Sequence, residues 1–487
     1  GVTGYEIDYE NNGSYDATAG GPNSNDTTDE FSGTGYVFPS SGPQTVKLRI
    51  TDGGAVPEST VCDLTVTVSA PLVPTLDPLP APGGINSNMA NATLSVQTDT
   101  KIDIIDVDSS NDAYYMLRTS SFAPTGWYVY KSVDGGATWP TPANVIPQFA
   151  NGALTYSSNA FGLATLANGL PAAAVVDGSV QLGYIAAQSE TPTSINWGAV
   201  TDGVEISTAG AFGGVSVLPS PTVANRVYVL AQNQSAVGSN PNGIVLWLST
   251  NGASNLPTFT QVAQVDTDGA TTLEVQPTGF VDSTGDLHIA WISSTAAATD
   301  EVMYRKFDDD GSATGGTWVS APVILTDGAF TDADINGIAL QVNTANEPAV
   351  AFSNATTVLI GDIYLTKNNA GVWSTPRKVN DARVNPNNFC TFVNVAFDSA
   401  GRVHMDWRDD GDADGVFDIY GGIMSSDGRL KTGPDFRIFD GVDTTTFFTA
   451  SRLEFMPGNG AGGKMLATCL ANAVVADGKA RYRLYDF

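Results

Sequence analysis

The sequence predicts an all-β protein: a small β-sandwich, then a seven-bladed β-propeller closed by a strand from its N-terminal side. Three observations predict it. A unit made of a short apolar strand, a second strand rich in Tyr or Trp and a Gly/Asp turn returns roughly every sixty residues from near position 100 onward. Several short strands per unit at that period mark a propeller. Ahead of the repeats, two stretches alternate apolar and polar residues and belong to no repeat, and a proline-rich stretch separates them from the rest.

Residues 1–70 form the first domain. Thr45-Val46-Lys47-Leu48-Arg49-Ile50-Thr51-Asp52 and Cys62-Asp63-Leu64-Thr65-Val66-Thr67-Val68 each have the period of a strand with one buried face. Gly53, Gly54 and Pro57 supply the turn between them. Residues 71–88 are a linker in which Pro71, Pro74, Pro78, Pro80 and Pro82 favour extended polyproline geometry, with Gly83-Gly84 at its end.

Residues 89–487 carry seven repeats. Their apolar second strands are 113–118, 172–176, 226–231, 287–292, 348–352, 403–407 and 464–469. The third strands follow at 127–130, 180–185, 244–248, 302–305, 363–366, 419–424 and 481–485. Internal echoes fix the register: Gly285-Asp286-Leu287-His288-Ile289-Ala290-Trp291 resembles Gly401-Arg402-Val403-His404-Met405-Asp406-Trp407. The last repeat ends at Phe487 with no room for a fourth strand, while Ala90–Val96 is strand-like and has no repeat of its own. Ala90–Val96 is therefore expected to complete the seventh blade, removing an open sheet edge.

Two resemblances follow from these residues. Gly35-Tyr36-Val37-Phe38-Pro39 followed by Gly42–Asp52 resembles the second half of a PKD domain, an immunoglobulin-like sandwich of bacterial surface proteins and secreted enzymes. The likeness covers about residues 4–69 and lacks the family's first strand or two, which implies an upstream portion. Ser132-Val133-Asp134-Gly135-Gly136-Ala137-Thr138-Trp139 resembles the Asp-box of sialidase-like BNR-repeat propellers. Weaker copies are Asp308-Asp309-Asp310-Gly311 leading to Trp318, Asn368–Trp373, and Ser426-Asp427-Gly428. In such a turn the Asp caps backbone amides, the glycines supply positive φ and the Trp plugs between sheets.

The sialidase resemblance does not extend to chemistry. That family's arginine triad begins in an F-R-I-P motif ahead of the first Asp-box, where the segment before Ser132 has Arg118 in a Met-Leu-Arg context that does not fit. Phe436-Arg437-Ile438-Phe439 has part of the motif, but in the sixth repeat and without the proline. Other glycosidase chemistry needs two suitably separated carboxylates, and among so many Asp and Glu residues no pair stands out from sequence. His288 and His404 occupy equivalent strand positions, which favours packing or hydrogen bonding over catalysis; two histidines also fall short of a zinc set, and no G-x-S-x-G elbow accompanies them.

Calcium is the expected cofactor. In Asp410-Gly411-Asp412-Ala413-Asp414-Gly415-Val416-Phe417-Asp418, oxygen ligands alternate, a Gly follows and Asp418 closes the run, an array suited to a hard cation. Gly421 stands where a bidentate Glu would be expected. A second candidate is Asp8, Glu10, Asn12 and Asp16, with Gly13 between the last two.

Composition narrows the partners. The 487 residues are 42% hydrophobic and carry a net charge of -29, which disfavours nucleic acid and anionic lipid and favours divalent cations. No apolar run reaches membrane-spanning length. Cys62, Cys390 and Cys469 cannot all pair; Cys390 and Cys469 fall in neighbouring repeats, where a disulfide is one alternative and buried free thiols the expected one. The chain opens inside a domain with no starting Met and no signal segment, as expected of a piece of a longer secreted protein.

The expected function is recognition or assembly at a bacterial cell surface or matrix. The propeller would contact protein or glycan, with self-assembly a further expectation and the sandwich acting as spacer. The alternative is a secreted carbohydrate-active enzyme, a glycoside hydrolase or lyase, with a carboxylate pair near the propeller axis.

Overall fold

The computed structural model describes residues 2–8, 17–20, 42–52, 59–68, 75–76, 103–119, 126–137, 139, 144–145, 160–176, 182–198, 203–207, 212–233, 243–265, 272–295, 300–326, 334–357, 360–381, 390–409, 417–439, 446–457, 463–473 and 479–487. Every regular element among them is a strand. They fall into two compact units, Gly1–Leu72 and Val73–Phe487.

The first unit contains an antiparallel sheet of four strands in the order Ala17–Gly20, Val2–Asp8, Gly42–Asp52, Ser59–Val68. The two alternating stretches pair with each other, with Val46 opposite Leu64 and Leu48 opposite Cys62. The second sheet that a sandwich requires is not seen among the described residues.

The second unit is a seven-bladed propeller. Blade one is Asp103–Val107, Ala113–Thr119, Gly126–Ser132 and Asn144–Val145. Blades two to six begin at Phe161, Phe212, Thr272, Asp334 and Thr391 and repeat the same antiparallel order. Each expected second and third strand is found at its place, because these apolar runs are covered on both faces by neighbouring sheets. Pro171–Val176, Val227–Asn233 and Gly243–Ser249 are buried at every position. The apolar cores therefore lie between blades, and Trp127, Trp291 and Trp407 are fully buried there.

Blade seven is Thr446–Met456, Lys464–Ala473, Lys479–Asp486 and, from the N-terminal side, Thr75–Leu76. The ring is thus closed from the expected direction by a different segment. Ala90–Val96 lies outside the described residues, and Thr75 and Leu76, opposite Asp486 and Tyr485, take the position expected of it. The stretch read as a polyproline linker thus contains a strand. Two residues suffice because the outer strand of a blade needs only to cover one edge.

Short polar turns set the strand register. Asp108, Asp282, Asn343 and Asp398 each start the turn between the first and second strands and accept amide hydrogens two and four residues ahead. Asp282 and Asp398 also bond the buried rings of His288 and His404, at 3.0 Å from Nε2 in both. Tyr304 and Tyr485 hydroxyls meet the opposite ring nitrogens. This is the hydrogen-bonding role expected from the equivalence of the two histidines.

At the turn after Ser132, the Ser132 hydroxyl accepts the Gly136 amide and donates to Asp134, while Gly135 and Gly136 have φ of 68° and 81°. The serine, rather than the aspartate, thus holds this amide. Trp139 packs edge-on to Tyr115 of blade one and Tyr482 of blade seven, on the seam where the ring closes. The same Ser-to-Asx bond recurs at Ser249 to Asn251 and Ser425 to Asp427. Blades three and four are joined by a buried bidentate pair, Arg226 to Asp309, at 2.7 and 2.6 Å.

Closure by Thr75–Leu76 carries a test. A variant lacking residues 1–78 exposes the edge of Lys479–Asp486 and is expected to melt several degrees below one lacking residues 1–72, measured by circular dichroism. Equal midpoints would contradict this closure.

Candidate functional site: the axial channel

The first strands of all seven blades surround a cavity of about 650 Å³. They can stand close together because key positions lack side chains. A Cβ on Gly162 would sit 3.1–3.2 Å from backbone atoms of Val215, Ser216 and Val217 on the next blade. One on Gly337 would meet Phe392 and Val393 backbone at 3.3–3.4 Å.

The wall mixes polar and apolar groups. Blades three to five contribute Phe280, Ile338 and Ala339 beside Ser216, Gln276, Thr278 and Gln341, while Val217, Leu218, Leu340 and Val393 reach it from the cores between blades. All four ionisable residues lining the cavity, Asp106, Asp108, Arg452 and Glu454, come from blades one and seven. Asp106 accepts the amide of Thr165 at 2.5 Å and also its hydroxyl. Arg452 Nη1 donates to Asn394 Oδ1 at 3.2 Å, and Asn394 Nδ2 donates to Asp406 Oδ1 at 2.7 Å. A polar belt therefore runs across four adjacent blades, from Asn394 through Arg452, Glu454 and Asp106 to Thr165.

Within the belt two carboxyls are perturbed. Burial pushes Asp106 up to about 6, opposed by its bonds from Thr165. Burial and then the charge of Asp106 push Glu454 up to about 8. Both residues are only partly exposed and line the channel. Both carboxyls are thus pushed toward the protonated form, Glu454 further than Asp106, so the pair can share one proton between a donor and an acceptor.

The start of the first strands forms a rim. The pairing slips a residue between Val275 and Thr278 and between Thr391 and Asn394, and within these bulges Gln276 and Phe392 adopt φ of 52° and 54°. Both line the cavity. The guanidinium of Arg408, opposite Thr391 on the second strand of blade six, lies between two rings, 4.5 Å from Phe392 and 4.3 Å from Phe417. Its Nε donates to Thr391 Oγ1 at 3.1 Å. Burial lowers its pKa to about 10, leaving it protonated at neutral pH.

The sequence-derived candidates lie elsewhere. Asp410, Asp412, Asp414, Glu10, Asn12 and Asp16 fall outside the described residues. Asp8 ends a strand opposite Lys47. Asp418 is buried, opposite the equally buried Asp409, with Arg437 Nε 3.4 Å from its Oδ2. Among the described residues no group of three or more His, Cys, Asp or Glu is arranged to hold a metal. Arg437 belongs to the outer strand of blade six, away from the channel-lining residues. All three cysteines are free; Cys390 and Cys469 are buried and Cys62 is exposed. Asp106 and Glu454 were missed because nothing in local spacing joins them.

No protein-family model and no curated protein sequence matches the chain. Among solved structures it is similar to a polysaccharide lyase of family PL25, an ulvan lyase bound to -[GlcA(1-4)Rha3S]-, with a TM-score of 0.52 at 9% identity over 82% of this chain and 94% of that one. It is also similar to the Hadza microbial sialidase Hz136, with a TM-score of 0.42 at 14% identity over 91% of this chain and 74% of that one. A third is an alpha-L-arabinanase of Penicillium chrysogenum complexed with arabinobiose, at 0.38 and 14% over 52% of this chain and 76% of that one. At these identities the likeness is one of fold.

Glu454 makes stability depend on pH. Its carboxyl holds a proton to about pH 8 when folded but only to about 4.5 when unfolded, so its contribution is full below pH 4.5 and lost as pH rises through 8. Glu454→Gln removes that loss. The melting temperature of the variant relative to wild type should therefore climb by several degrees between acid and alkaline pH. A constant difference would refute the shift.

Proposed function

We propose that the propeller is a carbohydrate-recognition module of the extracellular surface or matrix, taking a glycan into its axial channel. The observation that carries this reading is an axial cavity lined by polar and apolar groups together. A pyranose presents hydroxyl edges and apolar C–H faces together, and the belt from Asn394 to Thr165 suits the former while Phe280 and Ile338 suit the latter. The structural likeness to a polysaccharide lyase supports it. The PKD-like unit acts as spacer, and adhesion or assembly is the biological role this implies.

A second reading is favoured by Asp106 and Glu454 alone: a glycoside hydrolase. Protonated Glu454 would give its proton to the glycosidic oxygen as the bond to the anomeric carbon breaks. Ionised Asp106 would take a proton from the water that forms the new bond, so product hydroxyls balance the water consumed.

One assay separates the readings. Calorimetry and a reducing-end assay on the same oligosaccharide panel should show binding without release of reducing ends. Release that falls by roughly a hundredfold or more in Glu454→Gln would move the assignment to the enzyme. Absence of binding across a broad glycan array would overturn both.

Calcium is part of the proposal, held by Asp410, Asp412, Asp414 and Asp418 in one loop and by Asp8, Glu10, Asn12 and Asp16 in the other. The side-by-side carboxylates of Asp409 and Asp418 suit a cation at the root of the first loop. Millimolar calcium should raise the melting temperature over that in chelator by mass action, and Asp412→Asn with Asp414→Asn should reduce the rise. An unchanged midpoint would remove both loops from consideration.

A further inference from the structure

The Arg408 side chain is an unusual use of a cation. Its guanidinium carbon lies over the rings of both Phe392 and Phe417, at 4.5 and 4.3 Å from their centroids. Among the described residues its one side-chain hydrogen bond runs from Nε to a neutral hydroxyl, that of Thr391. Among the described residues no carboxylate lies within ion-pairing distance of it, although Asp409 follows it in the chain and Asp418 is near; Arg437 is the residue that engages Asp418. This differs from Arg226, which spends its fork on Asp309. Yet Arg408 keeps partial exposure, and Phe392, over whose ring it lies, lines the channel.

A guanidinium clamped at its faces, with Nε engaged, has its Nη edge left to present two parallel donors. That geometry matches an oxyanion and is wasted on a neutral hydroxyl. The local backbone is arranged for it: Phe392 is held at positive φ, a conformation costly for a bulky residue, and this places its ring under the guanidinium.

We infer that Arg408 is an oxyanion seat at the channel rim, so that the glycan taken by the channel carries carboxylate or sulfate substituents. The inference rests on the glycan reading for the identity of the ligand, but not for the seat itself. The net charge of -29 does not forbid it, because exposed charges farther than about 8 Å are largely screened at physiological salt. Such a ligand would be engaged at short range, through contacts rather than steering.

The experiment compares wild type, Arg408→Gln and Arg408→Lys. Calorimetry at physiological salt uses an oligogalacturonate, a sulfated neutral oligosaccharide and the uncharged oligosaccharide. Thermal shift uses free galacturonate and sulfate. Wild type should bind at least one acidic oligosaccharide roughly tenfold more tightly than the uncharged one, and which one it prefers tells carboxylate from sulfate. Arg408→Gln should lose that preference while keeping affinity for the uncharged sugar, and Arg408→Lys should retain part of it. A preference that survives in Arg408→Gln, or sugar binding indifferent to charge in wild type, would overturn the inference and leave the glycan reading standing. Stabilisation by free anions that needs Arg408, without binding of any oligosaccharide, would support the seat and overturn the glycan reading.

Discussion

The structure depends on how closely seven inner strands can stand around one axis. Each blade offers its first strand to a shared channel, and adjacent first strands approach until backbone meets backbone, as at Gly162 and Val217. Apolar packing between blades supplies the driving force, but it is spread over similar interfaces and would tolerate many spacings. The contact at the axis sets the spacing, and the outer closure by Thr75–Leu76 holds the ring at that circumference.

That constraint also makes the channel's chemistry. Residues from neighbouring blades, far apart in sequence, are pressed into one another's fields: Asp106 against Glu454, Arg452 against Asn394, Thr165 against Asp106. In a wider ring Glu454 would be solvated and titrate like an ordinary carboxyl. The bulges at Gln276 and Phe392 interrupt regular pairing where the channel opens, turning side chains toward the rim that strict alternation would direct elsewhere.

The repeats were legible because the second and third strands are buried on both faces. Val227–Ala231 and Gly243–Leu248 within them can be read as continuous apolar runs, and the tandem His288 and His404 motifs fixed the register. The first strands were not legible in the same way. They face a mixed channel, so Gly162, Asp106 and Glu454 interrupt the apolar pattern without announcing why. Closure was misplaced for a related reason. Ala90–Val96 has a strand's composition, whereas Thr75–Leu76 is two residues between prolines, and its pairing with Tyr485 and Asp486 leaves no trace in local pattern. The site was hidden because its residues come from opposite ends of the repeat array, and the acidic loop Asp410–Asp418 drew attention by its spacing.

The approach of the inner strands can be tested at its tightest point against backbone. The thermal midpoints of Gly162→Ala and Gly162→Val should fall in that order, by several degrees for valine, because neither Val215 nor Val217 backbone can retreat without widening the ring. Midpoints equal to that of the wild-type chain would mean that the inner strands are not in contact there, and the account of the channel would fail with them.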